Sequence, residues 1–511
     1  LQVLILFSMS SSVENEVVDG GSEEKETLLE AVRRVVSAMP PSEGLPSLCP
    51  SGELPPGVLP PVRYRAPFSQ VPLHDCRGDA RLMMADNCTA KGLPLHFALA
   101  IGNSFVNFVA DILHTGYIPF QENTYDAMEN STTWCKSVSN LCDVFLRKIA
   151  AGEVSPPVAS ETWELAWQTS VHSERNRRPK MEDRHIVFHD FALFKNSVHY
   201  VQLEETVGPS DSGDGAAHSP EVRGEPEKET VNEKREGARG EAARGLFAVF
   251  DGHGGQEAAT YLAAHFTDEF VRAGARVDEE TLRATFSAVD ARLSVRCEKE
   301  KWRCGSTAVV AALCPRKAAI AWCGDSAALL LTTGSATRIS KPHCPNDPAE
   351  VKRVEAAGGY VVYMQGELRV NGVLNITRSL GDVQGRPMIS PEPDIEVVSV
   401  EGAVFGLLLA CDGVSDELND AEIYTHVKDF IITRPVEDWQ SLSAYLCEKA
   451  KDSGSTDNLT SVFVFLRPVE QVWEFFHDEM GEESEEEKEK RRRRVAPKPA
   501  KKTLFDEFRD F

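Results

Sequence analysis

The sequence predicts an α+β fold in which two antiparallel sheets pack on each other between layers of helices. Residues 246–250 and 405–410 are short, bounded apolar runs without alternation, the pattern of strands buried on both faces. Further apolar runs are split by short turns, which reads as antiparallel pairing. Helical periodicity appears between these runs, and strands with helices outside them pack as sheet on sheet between helix layers.

Residues 1–60 are rich in Ser, Glu and Pro and are expected to be mostly disordered, with helical spacing only at 24–39. Residues 1–7 are apolar but too short for a leader and lack a basic flank; Met9 is read as the natural start and the preceding residues as an extension. Residues 61–157 form a small helical region. Within it, 93–113 approaches membrane length but carries His96, Asn103, Asn107 and Asp111, so a buried helix is expected. A second helical pattern covers 137–151 and stops at Gly152. Residues 158–467 are expected to form the main folded unit, interrupted at 202–244 by a charged, Gly/Pro/Ser-studded insertion predicted to be disordered.

Within that unit, 256–272 and 279–298 have helical periodicity. The runs 305–313, 318–323 and 328–332, separated by Cys314-Pro315-Arg316-Lys317 and Gly324-Asp325-Ser326, read as an antiparallel meander. Asp347 as N-cap, Pro348 at N1 and Gly358 as stop bound a short helix. A last buried strand is expected at 459–466. Residues 468–511 are expected to be a charged tail, acidic at 482–489 and basic at 490–502. The basic run reads equally as a nuclear import signal or partner-docking patch and as solvated charge neutralised by its acidic neighbour.

With 55 basic against 79 acidic residues, the net charge of −24 disfavours nucleic acid and anionic membrane as partners. The 12 cysteines include no Cys-x-x-Cys pair, and Cys323, Cys411 and Cys447 lie inside apolar segments. Buried free thiols in a reducing compartment are expected rather than a disulfide framework. Asn458-Leu459-Thr460 matches a glycosylation acceptor, but it abuts a candidate metal ligand, which again points to an intracellular protein.

Four acidic landmarks carry the chemistry: Met181-Glu182-Asp183, Phe250-Asp251-Gly252-His253-Gly254-Gly255, Ala410-Cys411-Asp412-Gly413 and Thr456-Asp457-Asn458. An aspartate at the mouth of a buried strand is costly unless a cation or hydrogen-bond network receives it. Several of them converging would offer hard oxygen ligands suited to Mg²⁺ or Mn²⁺. Taken singly, an Asp-Gly is more often a plain turn, and His253 or Arg178 alone could be a structural histidine and a surface charge.

Together with Arg178-Pro179-Lys180, Gly305-Ser306-Thr307, Gly324-Asp325-Ser326, Thr377-Arg378-Ser379-Leu380-Gly381-Asp382 and Asp412-Gly413-Val414-Ser415-Asp416, these landmarks occur in the order seen in metal-dependent protein phosphatases of the type 2C class. The resemblance covers about 158–467 and implies a four-layer αββα sandwich with a binuclear metal site at the sheet edge. It also implies hydrolysis of phosphoserine and phosphothreonine on proteins through a metal-bridged hydroxide. By the same resemblance Asp251 bridges two Mn²⁺ or Mg²⁺ ions and the Gly252 carbonyl ligates one. Glu182, Asp412 and Asp457 serve the other, partly through water, and Asp325 and Asp416 resemble ligands of a weaker third ion. Asp325 fits a hairpin turn equally well. Arg178 suits phosphate oxygens, because a guanidinium fork binds two at once. His253 is placed to protonate the departing alkoxide. Asp382 and Arg378 are read as structural.

His172, Arg175-Asn176-Arg177 and Met181–His185 resemble the subgroup acting on calmodulin-dependent and p21-activated kinases, which implies such kinases as phosphoprotein substrates. The free thiols point to a cytoplasmic site of action, and the basic run, if it acts in import, to a nuclear one. Ala327, Lys341-Pro342-His343-Cys344-Pro345 and Ser415 depart from the family pattern without removing a proposed ligand. Cys297 and Arg303 satisfy Cys-x₅-Arg spacing, but the intervening residues continue a helix and offer no anion cradle. The alternative reading is an interaction scaffold with weak or no catalysis, against which the complete carboxylate set argues.

Overall fold

The computed structural model describes residues 27–39, 75–93, 95–114, 131–154, 167–189, 241–364 and 366–482. The expected disorder of the first 26 residues, the insertion up to 240 and the basic run at 488–502 lie outside the described residues.

Four N-terminal helices, α1 (Leu28–Ala38), α2 (Cys76–Ala90), α3 (Leu95–His114) and α4 (Ser131–Ala150), share one apolar core built from Val32, Met84, Ile101, Phe105, Leu141 and Phe145. Helix α1 is held at its start by a reciprocal cap between Thr27 and Glu30. Its buried Leu28, Ala31, Val32 and Val35 recur at the spacing of one helical face. Among the described residues no helix is long and apolar enough to cross a membrane.

The chain then builds two five-stranded antiparallel sheets. In the first, β1 (Gln168–Glu174), β12 (Leu459–Phe465), β11 (Val404–Ala410), β6 (Ala327–Thr332) and β7 (Ala336–Arg338) lie side by side in that order. In the second the order is β10 (Asp394–Ser399), β5 (Lys317–Cys323), β4 (Ala308–Leu313), β3 (Gly245–Phe250) and β2 (Arg184–Phe188). A separate hairpin joins β8 (Val361–Met364) to β9 (Glu367–Val370).

Strand parity explains why β3 reads as a continuous apolar run. Phe247 and Val249 join the core shared with the first sheet. Leu246, Ala248 and Phe250 face α5 (Glu257–Arg272) and α6 (Glu279–Glu300) on the other side. Each fully buried side chain of this size contributes roughly 1.5–3 kcal/mol. Helices α8 (Asp420–Thr433), α9 (Leu442–Ser453) and α10 (Val469–Glu482) place Phe430, Leu446 and Trp473 in the first sheet's core. Helix α7 (Pro348–Ala356) has the expected Asp347 cap, whose side chain accepts from Ala349 N at 3.0 Å.

Three sequence expectations are corrected here. The run 305–332 is not one meander: β4 pairs with β5, but β6 pairs with β11 in the other sheet. Gly324-Asp325-Ser326 is therefore a crossing between sheets rather than a hairpin turn. The expected tail from 468 begins instead with α10, whose Val469, Val472, Trp473 and Phe476 are buried. The insertion expected to reach 244 closes earlier, because Glu241–Ala242 pairs with Arg276–Val277.

The N-terminal helices are bolted to α5 and α6 by buried charge. Arg296, 1% exposed at its side chain, meets Asp75 at 2.8 Å, and Tyr261 donates to the same carboxylate at 3.0 Å. Arg81 pairs with Asp268 at 2.5 Å and donates to Ala264 O at 2.6 Å. Helices α5 and α6 thus carry the N-terminal unit on one side and the second sheet on the other.

Candidate active site

The sheet registers bring the acidic landmarks to one edge. Arg184 pairs with Phe250, so Asp183 and Asp251 emerge beside each other from β2 and β3. Ala410 faces both Ser461 and Ala327, which sets Asp412, Asp457 and the 324–326 crossing at the corresponding edge of the first sheet.

Four carboxylates interact there. Burial first, then the charges of Asp183, Asp412 and Asp325, push the Asp251 carboxyl well above the usual carboxylate range. Asp412 is pushed up to about 6, by burial and then by the charges of Asp416, Asp457 and Asp183. Asp325 is raised in the same way, by burial and then by Asp412 and Asp416. Asp183, for which the sequence predicts no ligand role, is more deeply placed than its neighbour Glu182, at 2% exposed. Its carboxyl is also pushed up to about 6 by burial, against a hydrogen bond from Thr460 Oγ1 to Oδ2 at 2.7 Å. Its other oxygen, Oδ1, is buried without a hydrogen-bond partner.

An orphaned carboxylate oxygen among mutually repelling acids is the environment a hard divalent cation relieves. Among the described residues no three His, Cys, Asp or Glu side chains close into a group able to hold an ion by themselves. A cation held here would draw on backbone oxygen and water as well as carboxylate. Gly252, which follows Asp251, offers a backbone carbonyl in this neighbourhood.

The remaining predicted residues are arranged around this cluster. Glu182 is half-buried, and its backbone N–H donates to Asn458 Oδ1 at 2.8 Å. Gly252 sits so close to the Glu182 carbonyl that a Cβ would lie 2.5 Å from that oxygen, so only glycine lets the two landmarks meet. Arg178 is exposed and donates to Asp457 Oδ2 at 2.5 Å. Asp416 is exposed one turn beyond Asp412, to whose carbonyl its N–H donates at 2.8 Å.

Two organisers were not identified from the sequence. Asn458 donates through Nδ2 to the carbonyls of Arg175 and Lys180, both at 2.9 Å, and so fixes the turn that carries Arg178 and Glu182. Asp382, read as structural, meets His253 Nε2 at 2.6 Å and accepts from Ser379 Oγ at 2.5 Å. The pair lies directly over Gly305, where a Cβ would stand 2.0 Å from Asp382 Oδ2 and 2.6 Å from His253 Nε2. Thr307, in the same Gly305-Ser306-Thr307 motif, braces Asp251 by accepting from its N–H at 3.3 Å and donating its own N–H to its carbonyl at 2.9 Å. Arg378 is structural as expected, pairing with Glu350 at 2.6 Å and Asp394 at 2.7 Å.

Cys297 is not placed as a nucleophile. It is buried in the last turns of α6, and its thiol is raised by a hydrogen bond with Cys304 and by burial. Cys88, Cys142, Cys304, Cys314, Cys323, Cys411 and Cys447 are likewise free and buried, and Cys344 is free and half-buried.

Residues 215–459 match the family described as Protein phosphatase 2C. The chain is 33% identical over 436 residues to Protein phosphatase fem-2 of Caenorhabditis elegans, covering 83% of this chain and 87% of that protein. It is 33% identical over 306 residues to human Protein phosphatase 1E, covering 60% of this chain and 35% of that one. Human Protein phosphatase 1F is 32% identical over 320 residues, 62% of this chain and 61% of its own. Among solved structures, that titled Structure of a C.elegans sex determining protein aligns at a TM-score of 0.64 and 32% identity, covering 80% of this chain and 91% of that one.

Proposed function

The chain belongs to the protein phosphatase 2C family, a family of metal-dependent protein serine/threonine phosphatases, and from that premise we propose that its cleft hydrolyses phosphoserine and phosphothreonine on regulatory protein kinases. The observation that carries the reading is the knot of raised carboxylates at Asp183, Asp251, Asp325 and Asp412. A scaffold has no use for such mutual repulsion, whereas a cation site does.

In this reading Asp251, the Gly252 carbonyl, Glu182, Asp412 and Asp457 hold two Mn²⁺ or Mg²⁺ ions, at the edge of a four-layer αββα sandwich. Asp183 steadies the same ions, and Asp325 and Asp416 serve a weaker third. When bound, the ions offset the charge of the phosphoryl group and supply hydroxide at neutral pH.

The chain's own residues do the rest. The Arg178 fork turns from Asp457 to two phosphoryl oxygens and holds the group in line. His253 donates its Nε2 proton to Asp382, which leaves Nδ1 to carry the proton for the leaving oxygen. A seryl or threonyl alkoxide is a poor leaving group, so a proton delivered there lowers the barrier. Gly305 lets the His253–Asp382 pair sit against the backbone and thereby fixes the ring.

Calmodulin-dependent or p21-activated kinases are the proposed substrates, on the resemblance of the stretch around His172 and Arg175–Arg177. The proposed site of action is cytoplasmic, or nuclear if the basic run near 488–502 acts in import. The test is hydrolysis of a phosphothreonine peptide in millimolar Mn²⁺ or Mg²⁺, then in EDTA. Turnover that persists in chelator, or that is lost on thiol alkylation instead, contradicts the proposal.

A further inference from the structure

Beside the phosphoryl site lies a cavity of about 560 Å³ whose wall is cationic. Arg175, Lys180 and Arg184 line it together with Met181 and, across from them, Gln256 and Glu257 of the α5 start. Its two walls are the two segments that build the active site. One is the turn bearing Arg178 and Glu182; the other follows directly on Gly252–Gly255.

The wall is fixed rather than loose. Arg184 donates to the carbonyls of Met181 at 3.3 Å and Asp183 at 2.7 Å, and to Gln256 Oε1 at 3.0 Å, so it clasps both sides. Asn458 holds the backbone at Arg175 and Lys180. Glu257, the acid at the rim, has its carboxylate turned against Gly255.

The other charges are uncommitted. Among the described residues Arg175, Arg177 and Lys180 pair with no carboxylate, although the chain carries a net charge of −24. Arg175 donates only to the Pro179 carbonyl, at 3.2 Å. A concentration of cations at a cleft mouth in an acidic protein focuses the field on an anion arriving there.

We propose that this cavity is a specificity subsite that receives an acidic group of the substrate, a carboxylate or a second phosphoryl group close in sequence to the phosphorylated residue. The inference rests on the phosphatase reading above and deepens it. A peptide whose phosphoryl group is held by Arg178 must pass over the turn in which Arg178 sits, which brings its neighbouring residues to Arg175 and Lys180. Arg175 and Lys180 are exposed, and contacts of this kind are worth at most about five-fold each in affinity and weaken with salt.

The experiment compares kcat/KM for three phosphothreonine peptides: one with neutral flanks, one with glutamates on both flanks, and one with a second phosphoserine. An aryl phosphate without flanks provides the reference rate for each enzyme. The wild type is expected to favour the glutamate and doubly phosphorylated peptides by about ten-fold, mainly through KM, and less at high salt. Preference for the doubly phosphorylated peptide alone also supports the subsite and identifies its ligand as phosphate. Arg175→Ala with Lys180→Ala should remove the preference, and Lys180→Glu should reverse it, so that the neutral peptide is turned over better than the other two. Equal kcat/KM on all three peptides in the wild type, or a preference that survives the double change, overturns the subsite while leaving the phosphatase reading intact. Failure of the wild type to hydrolyse even the aryl phosphate in Mn²⁺ counts against that reading instead.

Discussion

Asp412→Asn should make the metal-free protein more stable while abolishing its turnover. The Asp412 carboxyl is pushed from 3.8 to about 6 by burial and by Asp416, Asp457 and Asp183. A shift of about two pH units corresponds to roughly 3 kcal/mol of strain in the ionised folded state at neutral pH. Because the protons are shared with Asp251 and Asp183, relieving one member should release about half of that, on the order of 1–2 kcal/mol. For a unit of this size that is a rise of roughly 3–6 °C in Tm. The folded group binds its proton more tightly than the unfolded one, so the penalty is complete above pH 6, fades between 6 and 4, and is absent below. The advantage of the variant should therefore be largest at pH 7.5 and reduced to about a third of that at pH 4.5. Thermal unfolding of both proteins in EDTA at those two pH values measures it. A variant that melts at or below the wild type at pH 7.5, or keeps its full advantage at pH 4.5, refutes the reasoning.

His253→Gln should slow hydrolysis of alkyl phosphates at least ten-fold more than hydrolysis of aryl phosphates, whose phenolate leaves without a proton; equal losses remove His253 from proton delivery. Asp382→Asn should show the same selectivity, since Asp382 acts through the His253 ring, and a uniform loss on both substrates would make it merely structural. Asp75→Ala should cost about 3 kcal/mol in denaturant unfolding, because Arg296 is buried and loses its carboxylate. Asp75→Leu with Arg296→Met should recover most of that cost, and a single variant as stable as the wild type would mean that the N-terminal helices are only loosely attached.

The buried strands were legible because their burial on both faces leaves no polar position to disguise them, as the split of β3 between two cores shows. The pairing of β6 was not. A three-residue link with Gly324 at φ 110° serves a hairpin and a sheet crossing alike, and only the partner strand decides. Helix α10 left a signal that composition masked: Val469, Val472, Trp473 and Phe476 follow helical spacing inside an acidic stretch.

At the site, the landmark around Glu182 and Asp183 was legible, but not which of the two carboxylates turns inward. Strand parity places Asp183 with Val187 on the side facing the first sheet, where Thr460 meets it. Asp382 lies in a legible motif, but its pairing with His253, 129 residues away in sequence, left no local signal. Arg178 was legible through its motif, although its hold on Asp457 spans 279 residues.

The most direct measurement is Mn²⁺ binding followed by calorimetry in parallel with turnover of a phosphothreonine peptide, for the wild type and Asp251→Asn. Binding and turnover in the wild type should rise together over the same metal concentrations, while the variant, still folded, should lose tight binding and at least nine-tenths of its rate. Wild-type turnover without bound metal, or a variant that binds Mn²⁺ and turns over as the wild type does, would contradict the account.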